Sequence, residues 1–176
     1  AIDQYNRSIP GRFWQRLEPY VRSGDRIVIL GLAYKPGTAV VEASQGVSLA
    51  KELASRQLQI TVHDPQAKAM EAARRLLGNG VTYAPSLDAA IHQAEVIIVA
   101  TPDPSFQELP RVLPKGKRLI VIDVWRLLRD QWKDHHEITY VPLGVGTDRF
   151  EMTQRLAALW TDTPRVQTDM DHSLCR

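Results

Sequence analysis

The chain has 176 residues, 22 Lys+Arg against 20 Asp+Glu, 44% hydrophobic and 24% charged residues, which suits one globular domain, cramps two and excludes an intrinsically disordered chain. A net charge of +2 excludes a dedicated polyanion binder, so no nucleic acid is expected as a partner, and the single cysteine, Cys175, forms neither an internal disulfide nor a zinc cluster, which fits a reducing cytoplasm. Apolar runs such as Ile97 to Ala100 fall far short of the roughly 20 residues of a bilayer span, and Asp3 and Arg7 interrupt any start resembling a signal peptide, so no membrane association is expected.

The opening segment carries Phe13, Trp14, Leu17 and Tyr20, an apolar set that needs a surface to pack on, and reads as the end of a helix. Arg26 to Leu30 is a β-branched run stopped by Gly31, the pattern of a strand buried on both faces. Ser44 is a fitting N-cap for a helix in which Val47, Ala50, Leu53 and Ala54 share one face. Gln59 to His63 is a second strand closed by Asp64-Pro65, and Ala67 to Leu77 is a helix stopped at Gly78-Asn79-Gly80. Val81 to Tyr83 is a short strand, and Ser86 caps a helix expected to run through Ala94. Glu95 to Val99 and Leu119 to Asp123 are strands, and Ile138 to Val141 is a weaker last one. A final helix is expected over Arg149 to Trp160, and a polar tail after it.

Strands alternating with helices imply an α/β fold: a Rossmann-like open, mostly parallel sheet with helices on both faces, in three α/β/α layers. Such sheets bind ligands at the carboxyl ends of their strands, near the point where strand order reverses. The residues to weigh are therefore Gly31 to Thr38, Asp64, Thr101 to Phe106 and Asp123 to Arg126.

A dinucleotide site would carry G-x-G-x-x-G in the first strand-to-helix turn. Here that turn reads Gly31-Leu32-Ala33-Tyr34-Lys35-Pro36-Gly37-Thr38, with only the first glycine in place and a long loop before the helix at Ser44, so tight NAD binding to this chain is not expected. The loop offers a lysine beside an aromatic: Lys35 suits a phosphate oxygen and Tyr34 a base or sugar, the alternative being a solvated lysine and a tyrosine packed on the sheet edge. Arg126, expected on the same rim, either completes a diphosphate site with Lys35 or pairs with Asp123. Asp64 stands where an acid would meet a ribose hydroxyl, but 33 residues after Gly31 rather than roughly 20, and equally starts a turn. Gly144-Val145-Gly146 reads as a plain loop and His135-His136 as loop histidines without metal-ligand spacing, so no metal is expected. No nucleophile, base and orienter set stands out, and no catalytic residue is assigned.

The stretch Gly31 to Thr38 followed by Glu42-Ala43-Ser44 resembles the signature G-L-A-F/Y-K-P-x-T-x-D-x-R-E-S of the C-terminal, UDP-binding domain of the UDP-glucose/GDP-mannose 6-dehydrogenase family. Val62-His63-Asp64-Pro65 is similar to that family's Y-D-P, Thr101 to Phe106 to its T-x-x-x-x-F, and Ile122-Asp123-Val124-Trp125-Arg126 to its I-D-x-x-R. The opening segment with Asn6 resembles the end of the family's connecting helix. The resemblance implies a division into 1–22, the end of a helix from a central domain; 23–161, a nucleotide-sugar-binding domain; and 162–176, the tail. It implies that the complete enzyme oxidises the C6 hydroxyl of a UDP-sugar to a carboxylate with NAD, through a thioester on a cysteine. The NAD domain and that cysteine belong to N-terminal and central portions not found in these 176 residues, so this chain alone is expected to be inactive. Tyr34, Lys35 and Arg126 map onto substrate contacts, no cofactor-binding residue is assigned, and a homodimer formed through central helices is the assembly the family implies.

One departure matters. Where the family carries an arginine that reaches toward NAD, this chain has Glu42, after the apolar run Ala39-Val40-Val41, which reads as a short strand or a partner surface. Charge reversal there leaves a second reading open: a stand-alone, non-catalytic nucleotide-binding or regulatory module of the same fold. A small independent NAD(P)-dependent reductase is a third, weakened by the degraded glycine turn.

Overall fold

A computed structural model describes residues 11–113, 116, 118–132 and 138–143. The expected loops at His135-His136 and Gly144 to Gly146, the helix Arg149 to Trp160, the tail and Cys175 lie outside the described residues, as does Asn6. The sheet has six strands, β1 (Arg26–Leu30), β2 (Gln59–His63), β3 (Thr82–Tyr83), β4 (Val96–Val99), β5 (Leu119–Asp123) and β6 (Ile138–Pro142). Their spatial order is β3-β2-β1-β4-β5-β6, and every neighbouring pair is parallel. The chain winds outward from β1 to β3, returns to the centre and winds the other way, so the order reverses between β1 and β4.

Side chains on a strand alternate between faces, and both faces here are apolar. Ile27, Ile29, Ile60, Val62, Val96, Ile98, Ile120 and Ile122 enter one core. It is covered by α2 (Gln45–Ser55) through Val47, Ala50 and Leu53 and by α3 (Ala67–Leu77) through Ala69 and Ala73. Val28, Leu30, Ile97, Val99, Leu119 and Val121 enter the other, beneath α4 (Leu87–Ile91), Phe106, α5 (Leu109–Val112), Leu128 and Trp132. The crossovers β1-α2-β2 and β2-α3-β3 put their helices on one face, while α4 and α5, in the later crossovers, lie on the other, which is how a reversal in strand order yields three layers.

The opening segment finds its surface on the first of these faces. Residues 11–17 are helical, as α1, and run into a 3-10 turn at Glu18–Tyr20. Leu17 is 1% exposed within the first core, Phe13, Trp14 and Tyr20 pack against it, and the Arg56 guanidinium lies 4.7 Å from the Trp14 ring centre.

Several expected boundaries shift. The helix expected to reach Ala94 stops at Ile91, and β4 opens at Val96 rather than Glu95. Glu95 is used otherwise: its carboxylate accepts from the Arg26 backbone N–H at 2.8 Å and Nε at 3.0 Å, tying the amino end of β1 to that of β4. Ala39 to Val41 forms no strand; Val41 is 1% exposed in the core, while Val40 faces solvent. The segment after β4, where no element was expected, folds as a 3-10 helix, Pro104–Glu108, and the single turn of α5.

Since Leu17 is fully buried, Leu17→Ala should lower stability by about 2–5 kcal/mol, measured by urea unfolding. A loss within error would mean that α1 is not part of this core.

Candidate functional site

The carboxyl ends of β1, β4 and β5 are neighbours, and the segments leaving them form the candidate site. Gly31 leaves β1 with φ +94°, and a Cβ there would stand 2.5 Å from the Thr101 Cβ, so the close approach of the segment after β4 requires glycine. A Cβ on Gly46, in the first turn of α2, would stand 2.0 Å from the Gly31 carbonyl oxygen. Close helix-to-strand packing, which the dinucleotide fingerprint assigns to its third glycine, therefore falls to Gly46. Sequence reasoning passed over Gly46 because it lies far outside the G-x-G-x-x-G spacing.

Between these glycines the chain makes an excursion, Leu32 to Ser44, that is pinned at both ends. Asp64 is buried, and its Oδ2 accepts from the N–H groups of Leu32 (2.7 Å) and Ala33 (2.9 Å) while Oδ1 accepts from Gln66 (2.8 Å). The carboxylate is occupied by backbone donors, so Asp64 starts a turn and anchors the β1 loop instead of presenting itself to a ribose. The Thr101 hydroxyl donates to the Ala33 carbonyl at 3.1 Å, and the Tyr34 N–H to the Val40 carbonyl at 2.7 Å. At the far end Val41 is buried and Ser44 caps α2 by accepting from the Val47 N–H. The middle of the loop faces water: Tyr34 is 63% exposed and Lys35 is exposed, with no ion pair among the described residues. Tyr34 thus does not pack on the sheet edge. Glu42 is exposed too, its carboxylate accepting from the Val41 N–H at 3.2 Å. This loop does not fit NAD: the tight glycine turn is absent, Asp64 has its oxygens filled, and an acid stands at 42.

The turn after β5 is built in the same way. Asp123 is fully buried; Oδ1 accepts from the Trp125 N–H (3.1 Å), and Oδ2 from the Leu128 N–H (2.8 Å) and the Tyr140 hydroxyl (2.9 Å). So stapled, the turn holds Arg126 at φ +60°, a left-handed conformation that costs a residue other than glycine about 1–3 kcal/mol. Arg126 is exposed at this turn, and Trp125, which sequence reasoning did not single out, is half-exposed with its indole N–H donating to the Ala100 carbonyl at 2.9 Å. Lys35 and Arg126 therefore follow the carboxyl ends of two strands that flank β4, each on a loop anchored by a buried aspartate. Phe106 is not part of the rim; it is fully buried in the second core.

A separate cleft of about 360 Å³ lies between the sheet and α4, lined by Arg26, Thr61, Thr82, Tyr83 and His92 among others. Arg26 is the first residue of β1 and its guanidinium is tied to Glu95, so that cleft belongs to the opposite end of the strand from the rim. No group of three or more His, Cys, Asp or Glu among the described residues could hold a metal ion, and no helix among them is long and apolar enough to cross a membrane.

Two outcomes follow from this geometry. Gly46→Ala adds a methyl against a backbone carbonyl, so despite alanine's better helix propensity it should destabilise by about 1–3 kcal/mol in urea unfolding. The Tyr140 hydroxyl is held well above the usual phenol range, first by burial and then by its hydrogen bond to Asp123, with Arg129 and Arg126 opposing. The unfolded chain releases this proton at lower pH than the folded one, so the associated stability is intact below about pH 10 and is lost as pH rises above it. Tyr140→Phe should cost about 1–2 kcal/mol at pH 7 and flatten, though not abolish, the alkaline fall followed by urea unfolding, because burial also raises Tyr83.

The model of the UDP-glucose/GDP-mannose dehydrogenase family's UDP binding domain matches residues 28–130, from β1 to the turn after β5. The UDP-glucose 6-dehydrogenase AglM of Haloferax volcanii is 31% identical over 129 residues, 73% of this chain and 29% of that protein. The UDP-glucose 6-dehydrogenase of Rickettsia conorii is 29% identical over 124 residues, 69% of this chain and 28% of its own length. The solved UDP-glucose dehydrogenase of the archaeon Pyrobaculum islandicum superposes with a TM-score of 0.59 at 31% identity, covering 80% of this chain and 30% of that one. The chain thus spans less than a third of the length of these relatives. The match, covering more than half of the chain and every strand from β1 to β5, shows that this chain belongs to the UDP-glucose/GDP-mannose dehydrogenase family, as its C-terminal, UDP-binding domain.

Proposed function

We propose that this domain holds the diphosphate of a UDP-sugar between Lys35 and Arg126, within a complete NAD-dependent enzyme that oxidises the sugar C6 hydroxyl to a carboxylate. The observation that carries the proposal is the pair of anchored loops: Tyr34-Lys35 after β1 and Trp125-Arg126 after β5 leave strands on either side of β4, at one edge of a parallel sheet. An ammonium supplies a compact charge and a guanidinium a planar fork, which together offset the roughly two negative charges of a diphosphate. Tyr34, exposed beside Lys35, offers its ring or hydroxyl to the sugar or base.

The chemistry of oxidation then lies elsewhere. Hydride transfer needs the NAD domain, and the acyl step needs the catalytic cysteine, both supplied by the N-terminal and central portions of the enzyme. Residues 1–22 would be the end of the connecting helix, 23–161 the substrate-binding domain and 162–176 a tail. The complete protein would be a cytoplasmic homodimer, with this chain inactive alone.

Calorimetry with UDP, UDP-glucose and GDP tests the reading. UDP and UDP-glucose should bind saturably, and Lys35→Ala or Arg126→Ala should each weaken binding by about 1.5–3 kcal/mol, roughly 10- to 150-fold. No heat with any of the three ligands, or unchanged affinity in Lys35→Ala, would overturn it.

A further inference from the structure

Single exposed apolar side chains are ordinary, but Trp125 is both exposed and fixed. Half of its surface is open to water, yet its indole N–H is bound to the Ala100 carbonyl at 2.9 Å and its backbone N–H to Asp123 Oδ1 at 3.1 Å. Ala100 is followed by Thr101, whose side chain bonds the Ala33 carbonyl and abuts Gly31. Trp125 is thereby coupled through the end of β4 to the loop that carries Tyr34 and Lys35, and it directly precedes Arg126. The indole's only polar atom is already used, so what it offers a ligand is an apolar π-face next to a cation. That face matches a planar heteroaromatic ring, whose whole surface can lie against it, better than a puckered sugar, which offers it only C–H groups.

We infer that Trp125 is a binding wall on which the nucleobase of the bound nucleotide stacks. The inference rests on the diphosphate reading above and adds the position of the base: on the β5 side of the rim, beyond Arg126, with the sugar end directed toward the β1 loop. Stacking requires a face and no hydrogen-bond match, so this wall holds a base firmly without itself reading the base's polar edge.

The test is calorimetry on the 176-residue chain with UDP, UDP-glucose and inorganic pyrophosphate, comparing Trp125→Ala and Trp125→Phe. Trp125→Ala should weaken UDP and UDP-glucose by the same factor, about tenfold or more, and leave pyrophosphate unchanged. Trp125→Phe, which also lacks the N–H but keeps a ring, should retain most of the nucleotide affinity. Equal loss for pyrophosphate would overturn the inference, because the ring would then act only by positioning Arg126; loss confined to UDP-glucose would overturn it by placing the sugar on the ring. Wild-type chain that binds pyrophosphate as tightly as UDP would remove the base wall and leave the diphosphate reading standing. Wild-type chain that binds none of the three would remove both.

Discussion

Two buried carboxylates hold the carboxyl rim together. Asp64 and Asp123 sit at or just after the ends of β2 and β5, and burying a charged carboxylate is tolerable only where donors surround it. Here the donors are the main-chain N–H groups of the loops themselves: Leu32, Ala33 and Gln66 for one, Trp125 and Leu128 for the other. The arrangement works in both directions. The loops neutralise the cost of the acids, and the acids fix loops that have almost no regular hydrogen bonding of their own. Each such bond to a charged group is worth about 1.5–3 kcal/mol, enough to outweigh the strain of a left-handed Arg126.

The same constraint explains how the domain departs from a dinucleotide-binding turn. In that turn three closely spaced glycines bring a helix N-terminus up to the pyrophosphate, so main-chain N–H groups and the helix dipole carry the anion. Here α2 still packs hard on β1, through Gly46 against the Gly31 carbonyl, but the chain between them detours through thirteen residues, from Leu32 to Ser44. The N-terminus of α2 is capped by Ser44 rather than offered to a ligand. With the helix end withdrawn, the groups left to meet an anion at this edge are side chains carried on the loops, which is the role Lys35 and Arg126 are suited to.

Much of this architecture was legible in one dimension. The strands β1, β2 and β5 and the helices α2 and α3 are where β-branched runs, helical spacing and an N-cap serine say they should be, because these signals act over a few residues and their packing on the sheet agrees with them. Legibility fails where an element is decided by a distant partner. Ala39 to Val41 has strand composition, yet no strand edge is available to it, and Val41 is drawn into the core instead. Glu95 is diverted from β4 to hold Arg26, 69 residues earlier. Gly46, Trp125 and Asp64 matter because of contacts across 15 to 32 residues, and periodicity does not register these. Family signature residues are no safer guide to a site: Tyr34 and Phe106 both fall within such stretches, and one is exposed on the rim while the other is wholly core.

A pinned rim also bears on how a binding domain contributes to a reaction. Loops fixed before the ligand arrives pay little ordering entropy on binding, so more of the contact energy appears as affinity. A nucleoside diphosphate is the non-reacting part of a nucleotide sugar. Binding energy gained on that part is what positions the distant C6 hydroxyl, since an enzyme draws on remote contacts to hold the reacting centre in a productive geometry. The division is therefore physical as well as structural: on the proposed reading, the rim of this sheet supplies affinity and register. On that same reading, the rest of the enzyme would supply the groups that move a hydride and form an acyl bond.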